Sequence, residues 1–168
     1  MLSERGNIMN FVLAGEEECE VILGLYQSAI GTEGCTWSEH YPTREHMEGD
    51  RERESLFCLK NDVGEIVGAI SIDVDEAVEA LTCWDRTLAP MAELSRLVVK
   101  ENYQNQGIAC LLLQNAMAEL KKRGYKSVHF LVSKTNYKAL NSYAKLSFER
   151  KGECDLYEGQ WWCYEQKL

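Results

Sequence analysis

The sequence predicts a mixed α/β fold, one domain over residues 1–168, on three observations. Apolar residues recur at strand spacing in some stretches and at helical spacing in others, from one end of the chain to the other. A strand, a short small-residue turn and a long amphipathic helix follow one another between Glu93 and Gly124. The turn-forming stretch Asn61-Asp62-Val63-Gly64 joins two strand-like runs as a hairpin. A chain of 168 residues is long enough to bury a core without staples, and it contains no internal repeat, low-complexity tract or linker.

Taken in order, Asn7 to Ala14 reads as a first strand, with Ile8, Phe11 and Leu13 as core members. Gly15 and the acidic run Glu16 to Glu18 open a helix, because carboxylates favour a helix N-terminus. Val21, Ile22, Leu25, Tyr26 and Ala29 continue it at helical spacing, and Gly31 ends it. A polar-aromatic loop, Thr32 to Pro42, precedes a very polar helix from about Thr43 to Glu54. Ser55 to Lys60 and Glu65 to Val74 are the hairpin strands, and Asp75 to Pro90 is an acidic connection. Glu93 to Val99 is a strand. Gln106 to Arg123 is a helix with Ile108, Leu111, Leu112, Ala116 and Leu120 on one stripe and Gly124 as its stop. Ser127 to Ser133 is nearly all apolar, which predicts a buried strand. Asn136 caps a helix to Leu146, and Phe148 to Lys151 and Gln160 to Lys167 are terminal strands joined by a turn at Tyr157-Glu158-Gly159.

Composition narrows the function. No apolar run reaches the roughly 18 residues of a membrane span, and the first residues lack the pattern of a secretory signal, so a cytoplasmic protein without membrane attachment is expected. The 7 cysteines form no CxxC pair, which predicts reduced thiols rather than a disulfide framework or zinc site. Three dispersed histidines give no metal-ligand spacing, and no metal is expected. The net charge of −9 argues against nucleic acid as a partner. Its distribution is uneven. Glu93 to Lys151 holds eleven Lys and Arg against four Glu, an excess of seven positive charges, and the remainder therefore carries −16. Two ligands of opposite sign are expected.

The turn Gln104-Asn105-Gln106-Gly107-Ile108-Ala109 lies between a strand and a helix, where unpaired N–H groups and the helix dipole converge on one spot. It is an anion cradle in outline, though a Gly that only permits tight strand–helix packing would look the same. It is neither a Walker loop nor a Rossmann fingerprint, since GxxxxGK[ST] and GxGxxG are both absent.

A second motif adds specificity. Gln104, Gly107 and Ala109 fit [QR]xxGx[GA], and Asn136, Ala139, Tyr143 and Phe148 follow at fixed intervals, with Ser147 where Gly is usual. In both motifs, and in element order over nearly its full length, the chain resembles the GNAT superfamily of acyl-CoA-dependent N-acetyltransferases. The resemblance implies a single mixed, mostly antiparallel twisted sheet of six to seven strands, about four flanking helices, and splayed fourth and fifth strands. It implies acetyl-CoA as co-substrate: backbone near Leu97, Val98 and Val99 for pantetheine, Gln104 to Ala109 for pyrophosphate, Asn136 on the far side of the arm, and Lys138 in the basic surround with Lys100, Lys134 and Lys145. It also implies Tyr143 as general acid beside the thioester sulfur. Glu93, eleven residues before Gln104, stands where some members carry a general base. Strand alternation would put Glu93, Ser95, Leu97 and Val99 on one face and Leu94, Arg96 and Val98 on the other. An exposed strand-entry carboxylate, or one paired with Arg96, is the competing reading.

The acceptor, a small-molecule or peptide amine, is expected at Trp37, His40 and Tyr41 and at Trp84 and Asp85, where aromatics beside carboxylates suit a cation. The alternative is that these aromatics close the core under long loops. The expected reaction is direct acetyl transfer to a primary amine in a ternary complex, and the alternative is a non-catalytic CoA-binding sensor on the same fold. Because GNAT proteins are often dimers, a homodimer through an edge strand at Gln160 to Lys167 is a further expectation.

Overall fold

The structure is a computed structural model that describes residues 8–168. Seven strands form one sheet in the order β1-β2-β3-β4-β5-β7-β6: β1 (Asn10–Leu13), β2 (Leu56–Lys60), β3 (Ile66–Asp73), β4 (Met91–Val99), β5 (Ser127–Ser133), β6 (Glu149–Leu156) and β7 (Gly159–Lys167). Every neighbouring pair is antiparallel except β4 and β5. The helices are α1 (Cys19–Ala29), α2 (Arg44–Glu52), the single turn α3 (Glu76–Glu79), α4 (Ile108–Lys122) and α5 (Tyr137–Tyr143). Among the described residues no helix is long and apolar enough to cross a membrane.

Each face of the sheet is covered by an amphipathic helix. α4 buries Ile108, Leu112, Leu113, Ala116, Met117 and Leu120 against β2 to β5. Gly68 of β3 lies directly beneath it: a Cβ there would stand 2.9 Å from the Val98 carbonyl oxygen and 2.9 Å from Leu112 Cδ1, so only glycine admits this approach. On the other face Ile22, Leu25 and Tyr26 of α1 and Met47 of α2 pack on Leu56, Cys58, Ala69 and Val98. A third, smaller core gathers Val78, Trp84 and Cys163, with Cys83 and Cys154 beside them. All seven cysteines are free thiols.

Some expectations move. Asn7 lies outside the described residues, Ile8 is 67% exposed and Leu13 45% exposed, because β1 is an edge strand whose Phe11 alone of the three stacks inward, on Phe57 at 5.0 Å. Val21 faces solvent. β6 extends to Leu156, since Tyr157 and Glu158 both take positive φ (51° and 59°) and turn the chain directly into β7. β7 is an interior strand between β5 and β6, so the edge expected at Gln160 to Lys167 belongs to β6 instead.

The decisive irregularity is in β4. Ala69 pairs with Val98 but Ser71 pairs with Ser95, so β4 holds one extra residue, and Arg96 sits there with φ +47°. A bulge reverses the alternation beyond it. Ala92 and Leu94 face α4, and so do Leu97 and Val99, whereas Val98 joins the α1–α2 core. The uninterrupted alternation expected from Glu93 to Val99 is therefore wrong: Glu93 and Ser95 lie on the opposite face from Leu97 and Val99.

Candidate active site

β4 and β5 pair only through Met91↔Ser127, Ala92↔Val128 and Glu93↔His129. Past that point they diverge, and a cavity of about 730 Å³ opens between them. Its β4 wall runs from Leu94 to Val99 and its β5 wall from Phe130 to Ser133. The unpaired backbone edges of both strands thus face a shared cleft, a place where an extended chain can add its own hydrogen bonds.

The cleft leads to the start of α4. Gly107 caps that helix with φ +78°, a left-handed conformation that costs any other residue roughly 1–2 kcal/mol. Nothing lies within 4 Å of where its Cβ would be. The open space on that side leaves room for a ligand to meet the backbone. Among the described residues, the amides from Asn105 to Cys110 carry no backbone partner, and the helix ladder begins with Leu111 N–H donating to Gly107. Gln104 braces the turn by donating through Nε2 to the Val99 carbonyl at 3.3 Å. Gln104, Asn105, Gly107, Ile108 and Ala109 line the cleft, whereas Gln106 donates back to Asn102 and does not.

α5 forms the opposite wall. Asn136 accepts from Ala139 N–H through Oδ1, the expected cap, and a Cβ on Gly34 of the α1–α2 loop would stand 3.1 Å from that oxygen. Tyr143 lines the cleft half-buried, with its ring edge-on to Phe130 at 5.4 Å. Burial, and then the neighbouring Cys110, push its hydroxyl above the ordinary tyrosine range, so it holds its proton at neutral pH. Lys138 and Lys145 also line the cleft. Lys100 and Lys134 do not serve as free cations there, since they pair with Glu65 and Glu153. Half of the expected basic surround is thereby neutralised.

The other face of the sheet carries what alternation concealed. Arg96, 6% exposed, is turned by the bulge toward α2, where it donates to Asp50 through Nε (2.8 Å) and Nη2 (2.6 Å). Its Nη1 donates to Asp73 at 3.0 Å and to the Tyr41 hydroxyl at 3.1 Å. Burial would raise the Asp73 carboxyl, but hydrogen bonding and charge from Arg96 outweigh it and lower it. Sequence reasoning missed Asp50 and Asp73; only the bulge aims Arg96 at them, and no local signal announces it.

The expected acceptor residues separate. Trp37 lines the cleft and packs edge-on against Tyr26. Tyr41 is held by Arg96, at the margin. His40 is exposed. Trp84 does not line the cleft: it is 3% exposed, stacks on His129 at 4.5 Å and donates to the Val78 carbonyl, because the connection that carries it folds down as the lid of the third core. Asp85 caps the short turn that follows.

Glu93 is 8% exposed and does not line the cleft. Its Oε2 has no hydrogen-bond partner, and it does not pair with Arg96, whose donors go elsewhere. Burial, then Asp73 and Asp75, push its carboxyl up to about 9.

Residues 22–148 match the model of the Acetyltransferase (GNAT) family. The chain belongs to that family. Relatives of this GNAT chain include an N-alpha-acetyltransferase of Sulfurisphaera tokodaii, 30% identical over 112 residues. That match covers 66% of each chain, so the GNAT chain spans just under two thirds of this relative's length. Among solved structures, a GNAT-family acetyltransferase from Streptococcus agalactiae superposes with a TM-score of 0.80 at 17% identity, covering 95% of both chains. A chain of the NatC complex bound to Gag peptide and CoA superposes at 0.71 with 19% identity, covering 95% of the GNAT chain and 98% of that one. The splayed β4 and β5, the mixed sheet and the helix arrangement are accordingly those of the GNAT fold.

Proposed function

We propose that this acetyltransferase moves the acetyl group of acetyl-CoA directly to a primary amine, in a ternary complex and without a covalent enzyme intermediate. One observation carries the reading: an open strand pair leads straight to a helix start whose amides, from Asn105 to Cys110, lack partners beside a glycine with open space above it. A phosphate-bearing group on an extended arm fits that succession, with pyrophosphate on the amides and pantetheine along Leu97 to Val99. Asn136 and Lys138 face the arm from the α5 side. The NatC neighbour named above was itself solved with CoA.

In the transfer a C–N bond forms, the thioester C–S bond breaks, and the sulfur leaves as thiolate. Tyr143, which lines the cleft and is protonated at neutral pH, gives the sulfur its proton in this reading. Unpaired β4 amides polarise the thioester carbonyl. The free carboxylate base expected at Glu93 does not suit two observations, its absence from the cleft wall and the proton it holds up to about pH 9. The amine's proton leaves instead to water on the open acceptor side, past Trp37 and Tyr41.

The test is release of free thiol from acetyl-CoA across a panel of amines, with Tyr143→Phe alongside. Amine-dependent thiol release that falls in Tyr143→Phe supports the reading. Binding of CoA with no amine-dependent release would identify a sensor instead.

A further inference from the structure

Three carboxyl groups meet outside the cleft, on the face of the sheet toward α1 and α2. Oxygens of Asp73, Asp75 and Glu93 all lie within 4.8 Å of one another. Asp73 and Glu93 are direct cross-strand partners, an arrangement that repels unless a cation or a proton intervenes. Two of the three are already engaged. Asp73 accepts from Arg96 and from Val74 N–H. Asp75 accepts from Ala77 and Val78 N–H and from the Tyr157 hydroxyl at 2.7 Å. Glu93 is the exception, with Oε2 unpartnered although the residue is more than nine-tenths buried. A buried carboxyl oxygen with no donor is costly, and this carboxyl lies beside two other acids.

From these contacts we infer that Asp73, Asp75 and Glu93 bind an ammonium group of the acceptor other than the one acetylated, so that the preferred substrate is a diamine or polyamine. The inference rests on the acetyltransferase reading above and deepens it. Charge balance admits a cation: Asp50, Asp73 and Asp75 face only two guanidinium groups, Arg53 and Arg96. One negative charge is left over, and a second when Glu93 ionises. Coordination supports an ammonium over a divalent metal. A calcium ion takes about six to eight oxygen ligands, and here only the Glu93 carboxylate is unengaged. An ammonium brings three N–H donors of its own, one for the orphan oxygen and two for the spare lone pairs of the aspartates. The cluster borders solvent, since Val74 and Tyr157 beside it are 68% and 65% exposed.

Position supports the same assignment. Ser95 lines the cleft and lies two residues along β4 from Glu93, on the same face, so the two are separated by about 7 Å. A linear diamine spans that interval, one nitrogen in the cleft beside the thioester and the other among the acids. The held ammonium keeps its proton throughout and is not acylated. Glu93 then releases its own proton as the cation enters, because an opposite charge favours the ionised form.

The experiment is steady-state acetylation of hexamethylenediamine against hexylamine, in wild type, Glu93→Gln and Asp75→Asn. The expected result is a preference of about tenfold or more in kcat/KM for the diamine, collapsing in both variants through a raised diamine KM. Glu93→Gln removes no hydrogen bond, so loss of folding does not explain its effect. Equal kcat/KM for the two amines in wild type overturns the cation site and leaves acetyl transfer standing. A fall in kcat for both amines alike in Glu93→Gln also overturns it, because a base would behave that way. Calcium or magnesium that raises the Tm of wild type but not of Asp75→Asn, undisplaced by the diamine, overturns it in favour of a metal site. No thiol release with either amine overturns this inference, and none across the wider amine panel overturns the acetyltransferase reading as well.

Discussion

At the scale of single residues, two positions separate structural from functional constraint. Gly107 combines a left-handed φ with open space at the missing Cβ, so the two demands predict different losses. Gly107→Ala should destabilise the fold by roughly 1–2 kcal/mol, while weakening CoA binding by about tenfold or more as the methyl meets the phosphates. Calorimetric titration with CoA beside a denaturant melt measures both, and unchanged CoA affinity would displace the cradle from this turn. Tyr143 is the opposite case, since its ring packs on Phe130 whether or not the hydroxyl acts. Tyr143→Phe keeps that packing, and kcat should drop by roughly 10²- to 10⁴-fold with little change in the KM for acetyl-CoA. A Phe variant with wild-type kcat would leave sulfur protonation to water.

At the scale of elements, the β4 bulge matters most. It turns Arg96 toward α2 and ties β4, β3 and α2 through Asp73 and Asp50. Removing one partner of a buried pair leaves the other uncompensated, so Asp50→Ala should cost about 3–5 kcal/mol. If the bulge relaxes, CoA affinity should fall as well. Equilibrium unfolding checks the first statement and calorimetry the second; a loss under about 1 kcal/mol would show that Arg96 finds another partner. The bulge also marks where sequence reading stopped. β5, α4 and the α5 cap at Asn136 were legible because each rests on local signals: an apolar run, a helical stripe and a capping side chain. The strand, glycine turn and helix proposed as the cradle were legible for the same reason, as elements in succession. The alternation of β4 was not, because one extra residue leaves no trace in an apolar–polar pattern whose positions are all compatible with a strand. Trp84 was misplaced because a long acidic connection hides whether its aromatic points out or down. The acid cluster joins residues of β3, its following turn and β4, and only the sheet register brings them together.

At the scale of the whole molecule, two buried groups shape stability against pH from opposite sides. Burial, and then Arg86, lower His129 to about 4, so the folded state binds fewer protons than the unfolded chain between about 4 and 6.5. Stability from this group is lost as pH falls through that window. Glu93, raised to about 9, binds more protons folded than unfolded from about 4.5 upward, and stability falls as pH rises toward 9. His129→Phe should flatten the acid limb, and Glu93→Gln should flatten the alkaline limb and raise stability at pH 7 by at most about 3 kcal/mol. Thermal melts across that range measure both limbs; parallel curves for wild type and variant would show that the group in question does not titrate there. Within the −9 net charge, Lys138 and Lys145 line the cleft, and Asp73, Asp75 and Glu93 gather outside it.

The most direct measurement of the central claim is a crystal structure with acetyl-CoA. The account predicts pyrophosphate on the amides of Asn105 to Cys110, pantetheine hydrogen-bonded to β4 between Leu97 and Val99, and the thioester sulfur within hydrogen-bonding reach of Tyr143. A CoA molecule bound anywhere but between β4 and β5, or with its phosphates away from Gly107, would contradict it.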